Sequence, residues 1–374
     1  VSARILLLSA DFGSGHLSAA TAIAAACREL DPTCEPEPVQ VRSLLLDLVA
    51  WGYLKLIAWT PSLYRKLYHM PVGGGLRGLV RLAMIRTVRN EIARINPSVI
   101  VGTHPFPAGV AAWLRQQGRV STPVVMALTD FLPHGLWIHE GVSRYCVSSE
   151  TAADQLVQAG VQRDRVVVTG VAIHAGFGAV AAAPAETNPL RRVLVMGGGL
   201  GLGPIVHAVR SLAALPHPAL RVTVICGTNR SLQQELHELF RADPRIEIIG
   251  FTTEVAAHMR RSALLVTKPG GITCSEAMAV GLPMLLLDPL PGHEEENAQY
   301  LVSTGSAMIT DQDRVGRLAE ELLFTQPHEL RQMQQKAKAS GCPHSARAIA
   351  REALAVASPA PHHEADGRSH TFRP

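Results

Sequence analysis

No part of this chain stays apolar for the ~20 residues that a membrane-spanning helix needs. The first apolar run, Ile5–Leu8, is too short for the apolar segment of a secretion signal. Both shortages point to a cytoplasmic protein that meets a membrane, if at all, from its surface. Cysteine is sparse: six residues, at 27, 34, 146, 226, 274 and 342, with no C-x-x-C pair. That spacing argues against a disulfide framework or a zinc site and predicts reduced, buried thiols. A net charge of +4 is too small on its own to imply nucleic acid. Disorder as the main state is excluded by what remains, 47% hydrophobic residues against 18% charged ones. At 374 residues the chain exceeds one compact core, so two domains are expected.

Short β-branched and Leu-rich runs alternate with Ala- and Leu-rich segments of helical period. Strands are predicted at Arg4–Ser9, Val99–Gly102, Val124–Ala127, Arg144–Val147, Val166–Thr169, Arg192–Met196, Arg221–Cys226, Ile246–Ile249, Leu264–Thr267 and Pro283–Leu287. Helices such as Leu17–Leu30, Ala152–Ala159, Leu232–Phe240 and Ser275–Val280 lie between them, with two more after Phe324. This alternation predicts an α/β protein with parallel sheets covered on both faces. It pauses at the Ala-, Pro- and Gly-rich stretch 176–191, which reads as a linker. The expected domains are 1–175 and 192–357, followed by a disordered tail at 358–374.

Three glycine-containing turns follow predicted strands. In the first, Ser9 to His16, a strand runs through Gly13-Ser14-Gly15 into a helix that carries His16 near its start. Unpaired N–H groups there face the carboxyl edge of the sheet, and the helix dipole disfavours a protonated imidazole. A neutral His16 can take a proton; the competing reading is a histidine packed in the turn. The second turn, Met196-Gly197-Gly198-Gly199-Leu200-Gly201-Leu202-Gly203, lets a backbone approach a diphosphate. It matches G-x-G-x-x-G in no register, and the next strand ends in Cys226-Gly227 rather than an acid, which disfavours a dinucleotide. The third, Lys268 to Ala277, offers Gly270, Gly271 and Thr273 to phosphate and places Glu276 one turn into a helix, suited to hydroxyl groups. The acid run Glu294-Glu295-Glu296 before Asn297 suits a hydroxyl-rich ligand or, alternatively, a solvated helix start.

Residues 51–95 hold eight basic residues against one acid, a net +7 where the whole chain carries +4. Trp51, Tyr53, Trp59, Tyr64 and Tyr68 lie in the same stretch, five of the seventeen aromatics. Basic charge with interfacial aromatics suits an anionic membrane surface. A helical lid with a solvated basic face is the plainer alternative, and nucleic acid is disfavoured because no binding motif accompanies the charge.

Taken in order, Gly13-Ser14-Gly15-His16, Thr129-Asp130-Phe131 with His134 and Trp137-Ile138-His139, Met196-Gly197-Gly198-Gly199, Thr267 to Glu276, and Pro291-Gly292-His293-Glu294 with Glu296-Asn297 resemble the two-domain glycosyltransferases that build glycolipids on diacylglycerol. These are the processive diacylglycerol glucosyltransferases and monogalactosyldiacylglycerol synthases of glycosyltransferase family 28, and the resemblance runs from Ile5 to about Thr310. It implies a GT-B fold, two Rossmann-like domains facing across a cleft. A UDP-sugar would lie in the C-terminal half, and a diacylglycerol-type acceptor in the membrane-docking N-terminal half, at the inner face of the cell membrane. Gly15, Gly198, Gly199, Gly270, Gly271 and Thr273 would serve the diphosphate, Glu276 the ribose, Phe251 and Thr252 the uracil, and His293, Glu294 and Asn297 the sugar. The family usually has Gln where this chain has His293, near the sugar, so glucose, galactose, N-acetylglucosamine and glucuronate stand as alternative donor sugars. Such enzymes invert the anomeric centre and need neither cofactor nor metal. Candidate bases, in order, are His16, Asp130 and His134, with His104 also facing the cleft. The competing functions are transfer to a polyprenyl or soluble acceptor and a non-catalytic UDP-sugar-binding protein.

Overall fold

The computed structural model describes residues 2–10, 14–42, 74–178 and 191–357. Gly13, the aromatic and basic stretch up to residue 73, linker residues 179–190 and the tail 358–374 lie outside the described residues.

The N-terminal half runs β1 (Arg4–Ala10), α1 (Gly15–Leu30), β2 (Glu35–Val41), α2 (Gly74–Ile95), β3 (Val99–Gly102), α3 (Pro105–Gln116), β4 (Val124–Ala127), β5 (Arg144–Val147), α4 (Glu150–Gln158) and β6 (Val166–Val168). Its six strands are all parallel in the order β2-β1-β3-β4-β5-β6. Both faces of this sheet are covered, so side-chain alternation along each strand feeds two cores. Ile5 and Leu7 pack toward α1, while Leu6 and Leu8 pack toward α2 and α3. One crossover is incomplete: between β4 and β5 the chain forms only the short 3₁₀ turn Gly135–Trp137, anchored by the fully buried Trp137.

The C-terminal half repeats the plan with β7 (Arg191–Met196), α5 (Ile205–Ala213), β8 (Leu220–Ile225), α6 (Arg230–Phe240), β9 (Ile246–Ile249), α7 (Val255–Arg260), β10 (Leu264–Thr267), α8 (Gly271–Val280), β11 (Met284–Leu287), α9 (His293–Ser303), β12 (Ala307–Thr310), α10 (Val315–Glu320), α11 (Pro327–Ser340) and α12 (Ser345–Val356). Its strand order, β12-β11-β10-β7-β8-β9, is also wholly parallel. In each sheet the order reverses beside the first strand, which opens a crevice at the carboxyl edge. The α/β expectation and the ten predicted strands are therefore observed, and β2 and β12 are additional.

Strand β2 reads Glu-Pro-Glu-Pro-Val-Gln-Val, which hides it from pattern reading. It is an edge strand, and Glu35 N–H donates to Ala3 O at 2.9 Å. Two-residue alternation then turns Pro36 and Pro38 to the open side, where the missing N–H costs nothing.

The chain crosses between the halves twice. Val171, Ile173 and Phe177 sink into the C-terminal core beside Leu194 and Met196. Helix α12 returns the other way: Ala346, Ile349, Ala350 and Ala353 pack with Ala19, Ala20 and Ile23 of α1. So 345–356, placed by sequence within the C-terminal domain, belongs by packing to the N-terminal one. The apolar spacing of α12 gives it a buried face, but a spacing cannot say which sheet that face will meet.

Asn297 ties the halves directly. Its Oδ1 accepts the Phe131 N–H at 2.9 Å, and its Nδ2 donates to Pro269 O at 3.2 Å. Beside it, the Phe131 and Tyr300 rings stack with centroids 5.0 Å apart. Asn297→Ala leaves a buried N–H and a carbonyl without partners, at about 1–3 kcal/mol for each. A urea titration should show a lower midpoint with an unchanged slope; an unmoved midpoint would mean the tie carries no stability.

Candidate active site

Parallel strands deliver every candidate residue to the same edge. Residues 14–16, 103–104 and 129–134 follow β1, β3 and β4; residues 197–203, 250–252, 268–276 and 288–297 follow β7, β9, β10 and β11. The two carboxyl edges face each other, and glycine permits the contact. A Cβ on Gly271 would sit 1.9 Å from Thr129 O, and one on Gly199 would sit 2.3 Å from Ser14 Oγ. Gly15 approaches Ile272 in the same way, with a hypothetical Cβ 3.1 Å from its Cγ1.

The starts of α1 and α8 thus converge. Neither Ser14 nor Gly270 caps its helix with a side chain. The first bonds within these helices are Ser18 N–H to Ser14 O and Cys274 N–H to Gly270 O, both 3.0 Å. The N–H groups of Gly15, His16 and Leu17, and of Gly271, Ile272 and Thr273, precede them and lack partners within the helix. Two positive helix ends across a narrow gap favour an anion between them. Gly198 adds a turn of positive φ (71°), with open space where a Cβ would lie.

His16 stands at this junction. Its Nδ1 lies 2.8 Å from Thr103 O, an atom that can only accept, so Nδ1 carries the proton. Thr129 Oγ1 also reaches Nδ1, at 3.1 Å. Thr103 Oγ1 in turn donates to His16 O at 2.9 Å, fixing the first turn of α1. The Nε2 lone pair is left without a hydrogen bond among the described residues. Burial holds the imidazole below its ordinary pKa; Asp130 and the Thr103 carbonyl pull it up, while His293 and His134 push it down. His16 is therefore neutral near pH 7, with a fixed tautomer and an available base nitrogen.

The other candidates have different tasks. Asp130 Oδ2 accepts the Trp137 indole N–H at 3.2 Å and lies 3.6 Å from His134 Nε2. Burial would raise its pKa, but the His134 hydrogen bond and the neighbouring His293, His134 and His16 hold it well below the usual carboxylate range. A carboxylate so stabilised is a poor base and a good anchor for positive charge. His104, 4.5 Å from the His16 ring, accepts the Phe106 N–H at 3.1 Å and caps α3. Burial and then His16 lower its pKa well below normal.

On the C-terminal side Glu276 is buried, with no hydrogen bond or ion pair among the described residues; burial pushes its pKa up to about 8. Phe251 is 71% exposed on the loop after β9, and the Thr252 hydroxyl is used locally, accepting Glu254 N–H at 3.0 Å. The acid run divides. Glu294 turns inward, paired with Lys268 Nζ at 2.8 Å and accepting Leu290 N–H at 3.2 Å, while Glu295 accepts Gly292 N–H at 3.4 Å and closes the start of α9. Asn297, expected on the sugar, uses both ends of its amide within the protein. His293 opens α9 close enough to Asp130 and His16 to shift both. Sequence reading missed Thr103, the Asp130 anchor Trp137 and the Glu294 partner Lys268. The last two lie inside the quoted motifs, and Thr103 directly follows the predicted strand Val99–Gly102, beside His104.

Residues 16–173 match the family model of monogalactosyldiacylglycerol (MGDG) synthase, and residues 192–352 match the glycosyltransferase family 28 C-terminal domain. The chain is 29% identical over 389 residues to a processive diacylglycerol beta-glucosyltransferase of Bacillus mycoides, covering 96% of this chain and 95% of that protein. A protein of the same name from Bacillus cereus is 29% identical over 383 residues, with the same coverage. Among solved structures, Acinetobacter baumannii MurG aligns at 16% identity with a TM-score of 0.62, over 94% of this chain and 99% of that one. S. aureus MnaA, solved with UDP, aligns at 16% identity with a TM-score of 0.64, over 93% and 94%. At such identities these two structures speak for the fold, and the matched models and relatives speak for the family. With both halves matched, and only the two ends and the linker left over, the chain is a UDP-sugar-dependent glycosyltransferase of GT-B fold that resembles the MGDG synthases and processive diacylglycerol glucosyltransferases of family 28.

Proposed function

We propose that this enzyme moves a hexose from a UDP-hexose to diacylglycerol, or to a glycosyl-diacylglycerol, forming a β-glycolipid with inversion. The observation that carries the reading is His16, a neutral imidazole with its proton fixed on Nδ1 and Nε2 open, set between two uncapped helix starts. The acceptor hydroxyl oxygen attacks the anomeric carbon from the face opposite the diphosphate. The bond from that carbon to the diphosphate oxygen breaks, its electron pair leaves on UDP, and the hydroxyl proton passes to His16 Nε2. Backbone N–H groups at the start of α8 and the Gly197–Gly203 loop meet the departing charge, so no metal is required. Asp130 stabilises the imidazolium formed at His16. Glu276 accepts the ribose hydroxyls, Phe251 covers the uracil, and His293 and Glu294 meet the sugar. The UDP held by MnaA, and the diacylglycerol named for the Bacillus relatives, support the choice of donor and acceptor.

The membrane is reached through the N-terminal half. On α2, residues 79, 82, 86 and 89 share one face, where Leu79 and Leu82 are 42% and 74% exposed and Arg86 and Arg89 are also exposed. Apolar and cationic side chains together suit an anionic bilayer surface. Arg81 is committed elsewhere, 4.4 Å over the Trp113 ring. No helix among the described residues is long and apolar enough to cross a membrane.

The reading is tested with purified protein, a panel of UDP-hexoses and diacylglycerol in anionic or neutral vesicles. UDP release should require diacylglycerol, run faster on anionic vesicles and survive EDTA. Release with a soluble or polyprenyl acceptor alone would replace the acceptor, and complete loss on chelation, restored by magnesium or manganese, would replace the metal-free mechanism.

His16→Ala should lower kcat about 10²–10⁴-fold with UDP affinity unchanged, as expected for an acid–base group. Because the base must be unprotonated and its pKa is depressed, activity should fall only as pH drops below the ordinary histidine value of about 6.5. Wild-type turnover in the variant would make His16 structural.

Glu276 generates a separate expectation. Ribose hydroxyls donate to its ionised form, which in the free protein forms only as pH rises through about 8. UDP affinity should therefore climb with pH up to that region and level off above it. Glu276→Gln should flatten the dependence and remove about 1.5–3 kcal/mol at high pH, measured by calorimetry.

A further inference from the structure

The incomplete β4–β5 crossover has a consequence outside the donor site. Where a full helix would cover the sheet beside α3, the 3₁₀ turn Gly135–Trp137 leaves a half-open groove of about 780 Å³. That volume lies within the ~300–1,000 Å³ range of small-molecule sites. Its walls are largely apolar, with Phe106 and Trp113 from α3, Leu136 and Ile138 from the crossover, and Val161 from the turn after α4. Arg81 of α2 and Arg165 border it.

Its position says what would lie there. One end begins at Pro105 and Phe106, immediately after His104. The Phe106 ring is 5.1 Å from His104, and His104 is 4.5 Å from His16. The other end, at Gln116, Gln162 and Arg165, lies toward the opposite edge of the sheet, where α3 ends and β6 begins. Along the way it borders α2, the helix that exposes Leu79 and Leu82. A polar donor site does not need an apolar trough running away from its reactive histidine, whereas a hydroxyl attached to a long hydrocarbon does.

We propose that this groove receives an acyl chain of the glycerolipid acceptor, entering from the bilayer beside α2 and holding the free hydroxyl at His16. The assignment rests on the acceptor reading given above. Burying methylenes between Phe106, Trp113, Leu136, Ile138 and Val161 supplies the affinity, and the chain's direction aims the hydroxyl. The groove therefore selects for chain length and leaves donor binding untouched.

The test compares dioctanoyl and dipalmitoyl glycerol as acceptors for the wild type, Val161→Trp and Leu136→Trp, each checked for folding by UDP affinity. Filling the groove should raise the KM for the long-chain acceptor about tenfold or more, with a much smaller change for the short-chain one and an unchanged UDP affinity. Equal effects on both acceptors, or none on either, overturn the groove as the acyl site. In parallel, diacylglycerol carrying a diazirine near one chain end is photolysed with the unaltered enzyme, so the outcome does not depend on either variant folding. Labelling of peptides from 105–116, 136–140 or 159–165 supports the assignment, and labelling confined elsewhere overturns it. If the wild type transfers sugar to no diacylglycerol at all, the acceptor reading fails and its occupant with it; if transfer is normal and only the groove variants or labels disagree, this inference fails alone.

Discussion

Two helix starts of like polarity face each other with no room for a side chain between them, and much of the site follows from that apposition. Left alone, the unpaired N–H groups of α1 and α8 would repel across the gap. The contacts around them hold the gap closed: Phe131 bonded to Asn297 and stacked on Tyr300, Gly271 against Thr129 O, Gly199 against Ser14. The glycines are there because a Cβ would collide with backbone or with the facing turn. Packing thus maintains an electrostatic arrangement that an anion completes.

The same closeness sets the acid–base chemistry. Enclosed between the halves, His16 loses solvent and with it the charged form, while Asp130 keeps a counter-charge nearby. The carbonyl of Thr103 decides which nitrogen is protonated, and so which one can work. Asp130 itself is held by an indole N–H and a histidine, which removes it as a rival proton acceptor but leaves its field. His293, at a helix start, lies within electrostatic reach of both, so this chain places a further titratable group beside them.

The halves are also not the independent units that a linear reading suggests. The outgoing segment, 171–177, fills the C-terminal core, and α12 fills a face of the N-terminal one. The crossings touch, with Ser345 Oγ accepting the Ile173 N–H at 3.3 Å. Phe131 shares a core with Val171, Ile173 and Phe177, and Tyr300 packs against it, so the Asn297 tie and the Phe131–Tyr300 stack lie beside this doubled connection and reinforce it.

The alternation of apolar runs, the glycine turns after β1, β7 and β10, and the placement of His16 and Glu276 near helix starts were all determined by the sequence, because periodicity and turn chemistry act over a few residues. Parallel strands then carry those turns to one edge, so their gathering at the cleft was legible too. Five of the six cysteines are buried as expected and Cys342 is half-buried; burial pushes Cys27 and Cys146 up to about 12. What the sequence could not decide were matters of partner. Pro36 and Pro38 conceal an edge strand because only the neighbouring strand shows which side lacks donors. Identical spacing would let α12 pack on either sheet. The acid run divides into an ion-paired Glu294 and a capping Glu295 because Lys268 arrives from 26 residues away. Asn297 becomes a tie between domains, and His16 separates from His104, the one bonded to the Thr103 carbonyl and the other capping α3, through atoms as distant as Phe131, Pro269 and Thr103. Those partners lie far along the chain, and hydrogen bonds and charge pairs depend on distance in space, which only the folded structure sets.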